Sequence, residues 1–153
     1  MKKYFLLLSL LVIGISSCQR SPVDAVKQAT TDDALIKAYI TANKITAIKD
    51  PSGLYYAVVS TGKGAYPTVK STVNVTYTGK LLNGSVFAPT SALSSPLDSF
   101  IQGWQVGVTH INPGGTVLLL IPSAMGYGES SPAATIPANA VLAFTIKLTG
   151  FTK

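Results

Sequence analysis

The chain has 153 residues, with twelve Lys and Arg against six Asp and Glu, one Cys and one His. That length suits a single domain able to bury a core without disulfide staples. The lone Cys18 excludes a disulfide framework and a Cys-based metal site, and with only His110 beside it there is no His/Cys ligand cluster. The net charge of +6 is spread over scattered Lys residues with no interleaved aromatics, so a solvated surface is the reading and a nucleic-acid partner is not expected. An abundance of Val, Thr, Ile and Tyr together with 13 Gly and 9 Pro favours strands and turns over a helical bundle.

In chain order, Lys2 and Lys3 precede an apolar run at 4–15, and the small residues Ser16 and Ser17 then lead into Cys18. A charged start, a short apolar stretch and small residues at a cut site describe a secretory signal over 1–17. The run is shorter than the roughly 20 helical residues needed to cross a bilayer. Residues 18–30 have little apolar periodicity and read as a tether. Thr31-Asp32-Asp33 then offers a helix cap and an acidic first turn. Leu35, Ile36, Tyr39 and Ile40 share one face at helical spacing, so a short helix over 32–43 is expected, within an N-terminal segment at 31–50. It would pack on the domain or on a second copy of the chain.

Asp50-Pro51-Ser52-Gly53 is a turn signal that opens the main domain, 51–153. Strands are expected at 54–60 and at 72–78, where Val73, Val75 and Tyr77 alternate with polar residues, followed by a hairpin turn at Asn83-Gly84. Residues 89–96 are Pro- and Ser-rich and read as a loop. Residues 104–111 are the one helix candidate within the β pattern, and His110 on it reads as a surface residue. The continuous apolar run at 116–121 reads as a buried strand. Leu142, Phe144, Ile146 and Leu148 share one face of a final strand. Strands around one short helix make an α+β fold.

Two stretches carry resemblances. Ile15-Ser16-Ser17-Cys18 resembles a bacterial lipobox. That implies cleavage before Cys18, acylation of its thiol and new amine, and a membrane-anchored lipoprotein. Gln19 after the Cys points by analogy to the outer membrane, facing the periplasm. The second resemblance runs through Val73-Asn74-Val75-Thr76-Tyr77-Thr78-Gly79-Lys80-Leu81, Asn83-Gly84-Ser85-Val86-Phe87, Phe100-Ile101-Gln102-Gly103-Trp104, Gly107-Val108, Ile121-Pro122-Ser123 leading to Gly126-Tyr127-Gly128, and Ile136-Pro137-Ala138-Asn139-Ala140-Val141-Leu142-Ala143-Phe144. In this order the segments resemble the FKBP family of peptidyl-prolyl isomerases. The resemblance implies an antiparallel twisted sheet wrapped around one short helix, and prolyl cis–trans isomerisation without a cofactor. It also implies proline-containing peptides or unfolded segments as partners.

It further implies a pocket walled by Tyr77, Phe87, Phe100, Ile101, Tyr127, Ile136 and Phe144 and floored by Trp104. The Ile101 N–H and the Tyr127 hydroxyl would meet substrate carbonyls. Without the resemblance, apolar residues on strands read simply as core. The chain departs from the family pattern at Ala88, where the family usually has Asp, and Leu93 or Ser95 stands where it often has another aromatic wall. A non-catalytic binding module for Pro-containing segments is therefore the alternative, with a structural surface lipoprotein behind it.

Overall fold

The computed structural model describes residues 22–130 and 132–153. A long helix α1 (Pro22–Ala42) precedes a β-strand pair, β1 (Ile48–Lys49) and β2 (Tyr55–Ser60). Then follow the hairpin of β3 (Thr72–Leu81) and β4 (Val86–Pro96), the short helix α2 (Gln102–Gly107), β5 (Thr116–Ile121) and β6 (Leu142–Thr152). The strands form one antiparallel six-stranded sheet in the order β1-β2-β5-β6-β3-β4. The α+β expectation of a sheet around one short helix therefore describes the chain.

The sheet has two apolar faces because its central strands carry apolar residues at both parities. Val73 and Val75 of β3, Leu119 and Ile121 of β5 and Ile146 and Leu148 of β6 bury into one cluster with Trp104 of α2. On the other face Tyr55, Leu120, Val141 and Ala143 pack with Ile36 of α1. Helix α2 comes unusually near β5, because the side facing it is two glycines. A Cβ on Gly103 would strike the Ile121 side chain, and one on Gly107 would strike that of Leu119.

Several expectations need correction. Helix α1 starts at Pro22, not near residue 31, so 22–30 is helical rather than a loose tether. Pro at the first helical position, Asp24 in the first turn, and Ala, Lys and Gln thereafter suffice for a helix. Val23 and Val26 are 75% and 68% exposed, so this half shows no buried stripe for periodicity to reveal. Ile36 is buried against the sheet, with Tyr39 and Ile40 packed partly beside it, whereas Leu35 faces out. The side of α1 toward β1 is tied by Asp33, which accepts hydrogen bonds from Lys49 Nζ at 2.6 Å and the Tyr55 hydroxyl at 2.7 Å. A hydrogen bond from Lys37, followed by those from Lys49 and Tyr55, holds its carboxyl well below the usual carboxylate range.

Residues 89–96 are not a loop but most of β4, paired with β3 from Gly79↔Ala88 to Thr72↔Pro96. β4 is an edge strand, so Pro89 and Pro96 are tolerated where a central strand would lose ladder hydrogen bonds. The helix candidate at 104–111 is α2 followed by a 3-10 turn at Val108–His110. His110 is not a free surface residue: its ring stacks on Tyr56 at 4.1 Å, and Nε2 lies 3.5 Å from Asp50 Oδ2. Cys18 and the 1–17 segment lie outside the described residues, and among these no helix is long and apolar enough to cross a membrane.

Gly107→Ala should lower stability by about 1–3 kcal/mol through overpacking against Leu119, although Ala is the better helix former. Urea denaturation of the two proteins measures the difference.

Candidate active site

The first structural cause of the site is the entry into α2. Ile101 occupies the N-cap in an extended conformation (φ −57°, ψ 150°), and its carbonyl accepts the Trp104 N–H at 2.9 Å. Gly103 and Gly107 let this turn lie close against β5, which lowers the indole of Trp104 onto the sheet. Trp104 is 3% exposed and is the hub of the aromatic packing. Phe100 stacks on it at 4.9 Å, and Tyr77 and Phe144 meet it edge-on at 5.1 and 5.2 Å. Such tilted and offset contacts suit the ring quadrupoles. Phe87 continues the wall, edge-on to Phe144 at 5.4 Å.

Gly79 makes room for that wall. It sits opposite Ala88 on β4 and Phe144 on β6, where the β3–β4 register slips between Tyr77 and Gly79. A Cβ there would lie 2.6 Å from the Phe87 ring and 2.8 Å from the Phe144 ring. The far wall comes from the loop between β5 and β6. A 3-10 turn at Ser123–Met125 leads to Tyr127, which is flanked by Gly126 and by Gly128 in the left-handed region (φ +58°). Asn139, also left-handed (φ 57°), donates its N–H to the Gly128 carbonyl at 2.7 Å. That bond ties the Tyr127 turn to the segment carrying Ile136, which is 5% exposed.

These elements enclose a cleft of about 310 Å³. Its lining includes every side chain expected from the sequence: Tyr77, Phe87, Phe100 and Ile101 on one side, Tyr127, Ile136 and Phe144 on the other, with Trp104 beneath. Ala88 and Leu93 also line it, which decides between Leu93 and Ser95. Ser95 instead lies 3.2 Å from Ser99, hydroxyl to hydroxyl. Gly79, which shapes the wall without lining it, went unassigned because a missing side chain carries no periodic signal.

Among the described residues no charged side chain lines the cleft. Its polar groups are the hydroxyls of Tyr77 and Tyr127, the backbone, and the indole N–H of Trp104, which is buried without a hydrogen-bond partner. The Ile101 amide stands at the start of α2, where a helix has no internal acceptor for its first N–H groups. Burial pushes the Tyr127 phenol above its ordinary value, and neighbouring Tyr77 pushes in the same direction. Both effects penalise the phenolate, so Tyr127 is a hydrogen-bond donor at neutral pH. The cleft can therefore receive a compact apolar group, remove it from water and donate hydrogen bonds at its rim, and none of the described residues lining it is placed for nucleophilic or metal-assisted chemistry. Among the described residues no group of His, Cys, Asp and Glu could hold a metal ion.

The family described as FKBP-type peptidyl-prolyl cis-trans isomerase matches residues 63–149. Among curated proteins, the peptidyl-prolyl cis-trans isomerase Mip of Coxiella burnetii is 36% identical over 118 residues, covering 73% of this chain and 51% of Mip. The outer membrane protein MIP of Legionella longbeachae is 34% identical over 128 residues, covering 80% of this chain and 55% of that protein. The chain thus spans about half the length of these relatives. The crystal structure of FkpA from Escherichia coli superposes with a TM-score of 0.70 at 31% identity, covering 85% of this chain and 63% of FkpA.

In an ultraviolet difference titration of wild type against Tyr127→Phe, the lost phenol should be one that ionises above the ordinary tyrosine range, as its raised pKa requires. A phenol lost from the main transition would contradict the desolvated placement.

Proposed function

We propose that this chain, which belongs to the FKBP-type peptidyl-prolyl cis-trans isomerase family, catalyses rotation about X–Pro bonds and so assists the folding of exported proteins. The observation that carries this reading is one uncharged cleft floored by Trp104, with donors at Ile101 and Tyr127 on its margin.

An X–Pro bond resists rotation because amide resonance keeps it planar, with a barrier of about 18–20 kcal/mol. Rotation makes and breaks no σ bond, so it needs no acid, base or nucleophile. In the twisted state resonance is lost and the carbonyl oxygen carries less negative charge. Water then solvates that oxygen less well, so a dry cleft favours the twisted form over the planar one. Binding that state selectively is catalysis. A gain of about 10⁴ in rate requires only ~5.5 kcal/mol. The proline ring would lie over Trp104. The Ile101 N–H and the Tyr127 hydroxyl would hold the flanking carbonyls in the rotated geometry.

A second reading, a binding module that takes Pro-containing segments without accelerating rotation, is favoured by one feature. Ala88 lines the cleft where the family usually carries Asp, so a carboxylate that shapes the pocket is missing. A protease-free assay with an X–Pro peptide separates the two. Acceleration over the uncatalysed rate supports catalysis. Binding near Trp104 without acceleration supports the module, and the uncatalysed rate without binding sinks both. Trp104→Ala should lose activity and about 3–5 kcal/mol of stability, the usual cost of removing a buried ring. Tyr127→Phe should lower kcat/KM while leaving Tm near that of wild type, because the half-buried ring is kept.

The location proposed is the bacterial envelope, with lipid on Cys18 as anchor, cleavage after residue 17 and the domain facing the periplasm from the outer membrane. The name of the Legionella longbeachae relative supports the membrane assignment. Two or more acyl chains would hold the protein firmly, where one chain binds only marginally. Metabolic labelling with a radioactive fatty acid should mark the wild-type protein and not Cys18→Ser. An unlabelled wild type refutes the anchor.

A further inference from the structure

We propose that Asp32 of α1 is a positioning residue for Tyr127, acting through Ser123; the inference rests on the catalytic reading of the cleft. Asp32 is 1% exposed and Ser123 is fully buried. Asp32 Oδ2 accepts the Ser123 N–H at 2.8 Å and the Ser123 hydroxyl at 2.6 Å. Its Oδ1 accepts a hydrogen bond from Gln28 Nε2 at 2.7 Å. A buried carboxylate is costly unless its oxygens are met, and hydrogen bonds to a charged acceptor are the short, strong ones. The pair is thus a fixed link between two segments 91 residues apart in sequence.

What Ser123 does next directs the link to the cleft. Its carbonyl accepts the N–H groups of Gly126 at 3.0 Å and Gly128 at 2.9 Å, the residues on either side of Tyr127. Glycines restrain the backbone less than any other residue, so a tyrosine between two of them takes little of its position from local preference. Position must come from tertiary bonds. Asp32 fixes the amide and hydroxyl of Ser123, and Ser123 fixes the turn that presents the phenol. Removing the carboxylate leaves a buried amide and hydroxyl to find other partners, which costs energy and invites the turn to move. Helix α1, on the far side of the sheet from the cleft, thereby enters the chemistry of the site without touching it.

The test is a double-mutant cycle in the full chain between Asp32→Ala and Tyr127→Phe, using a tetrapeptide with a central Leu-Pro bond. All variants are assayed below their unfolding transitions. Asp32→Ala should lower kcat/KM about tenfold when Tyr127 is present, because a small misplacement of a positioned group is enough to do so. In the Tyr127→Phe background the further loss should be under about twofold, the mark of two residues acting as one unit. Asp32→Asn keeps an acceptor for Ser123 and should recover most of the activity.

Equal losses in both backgrounds, no loss at all, or equal losses for Ala and Asn at residue 32 would each overturn the proposal. If Asp32→Ala fails to fold, Ser123→Ala, which removes only the hydroxyl donor, takes its place in the cycle with the same outcomes. If the wild type does not accelerate rotation, the isomerase reading fails by itself. The cycle is then read in peptide affinity by the fluorescence of Trp104, the only indole in the chain. Coupling between residues 32 and 127 in that affinity upholds the positioning role, and independence overturns it.

Discussion

How near α2 lies to β5 decides what the rest of the fold can do. Gly103 and Gly107 turn bare backbone toward Ile121 and Leu119, and the helix settles onto the sheet at a distance any side chain would forbid. Trp104, in the same short helix, is carried down until its indole is ringed by Tyr77, Phe100 and Phe144. Gly79 repeats the device on the opposite side, where the missing Cβ lets the rings of Phe87 and Phe144 close over β3. The cleft is therefore a product of omitted side chains as much as of aromatic ones, and its floor is as rigid as the core it belongs to.

That rigidity matters because the proposed chemistry supplies an environment rather than reactive groups. A cleft without charged lining gives little to a planar, polar amide and more to a rotated one. The hydrogen-bond donors at its margin discriminate only if they are held where the rotated carbonyls fall. Each is held differently. The Ile101 amide is set by the geometry of a helix start. The Tyr127 hydroxyl depends on a glycine-flanked turn fastened by Ser123 and Asn139. The second is the weaker construction, which is why a buried carboxylate on a separate helix bears on it.

The strands were legible where their patterns were physically forced. The unbroken apolar stretch at 117–121 is the central strand β5, covered on both faces, and the alternation from Phe144 to Leu148 is one-sided burial along the middle of β6, whose start also buries Ala143 on the other face. The wall residues of the cleft were legible only through the order of their motifs, since periodicity alone reads them as core, and most of them are packed against the core as well. Where no face is buried, the pattern failed. The first half of α1 projects Val23 and Val26 into solvent, so it left no stripe to count. Proline and serine composition disguised β4, because an edge strand tolerates what a central strand does not. Asp32 read as a helix-start acid, yet it lies well inside α1 with its carboxylate turned to Ser123, a partner distant in sequence that no local rule reaches.

The sheet ends on one side in the two-residue β1 and on the other in β4, whose eleven residues carry Pro89 and Pro96. A long open edge is a template on which any extended chain can add itself as another strand, and prolines blunt that tendency. For a protein proposed to meet unfolded polypeptides, such an edge beside the cleft would be a standing hazard, turning a brief visitor into a permanent ribbon. Under the proposed function, the prolines of β4 would disfavour strand addition along that edge, leaving side-chain capture in the cleft as the mode of contact and a client free to leave.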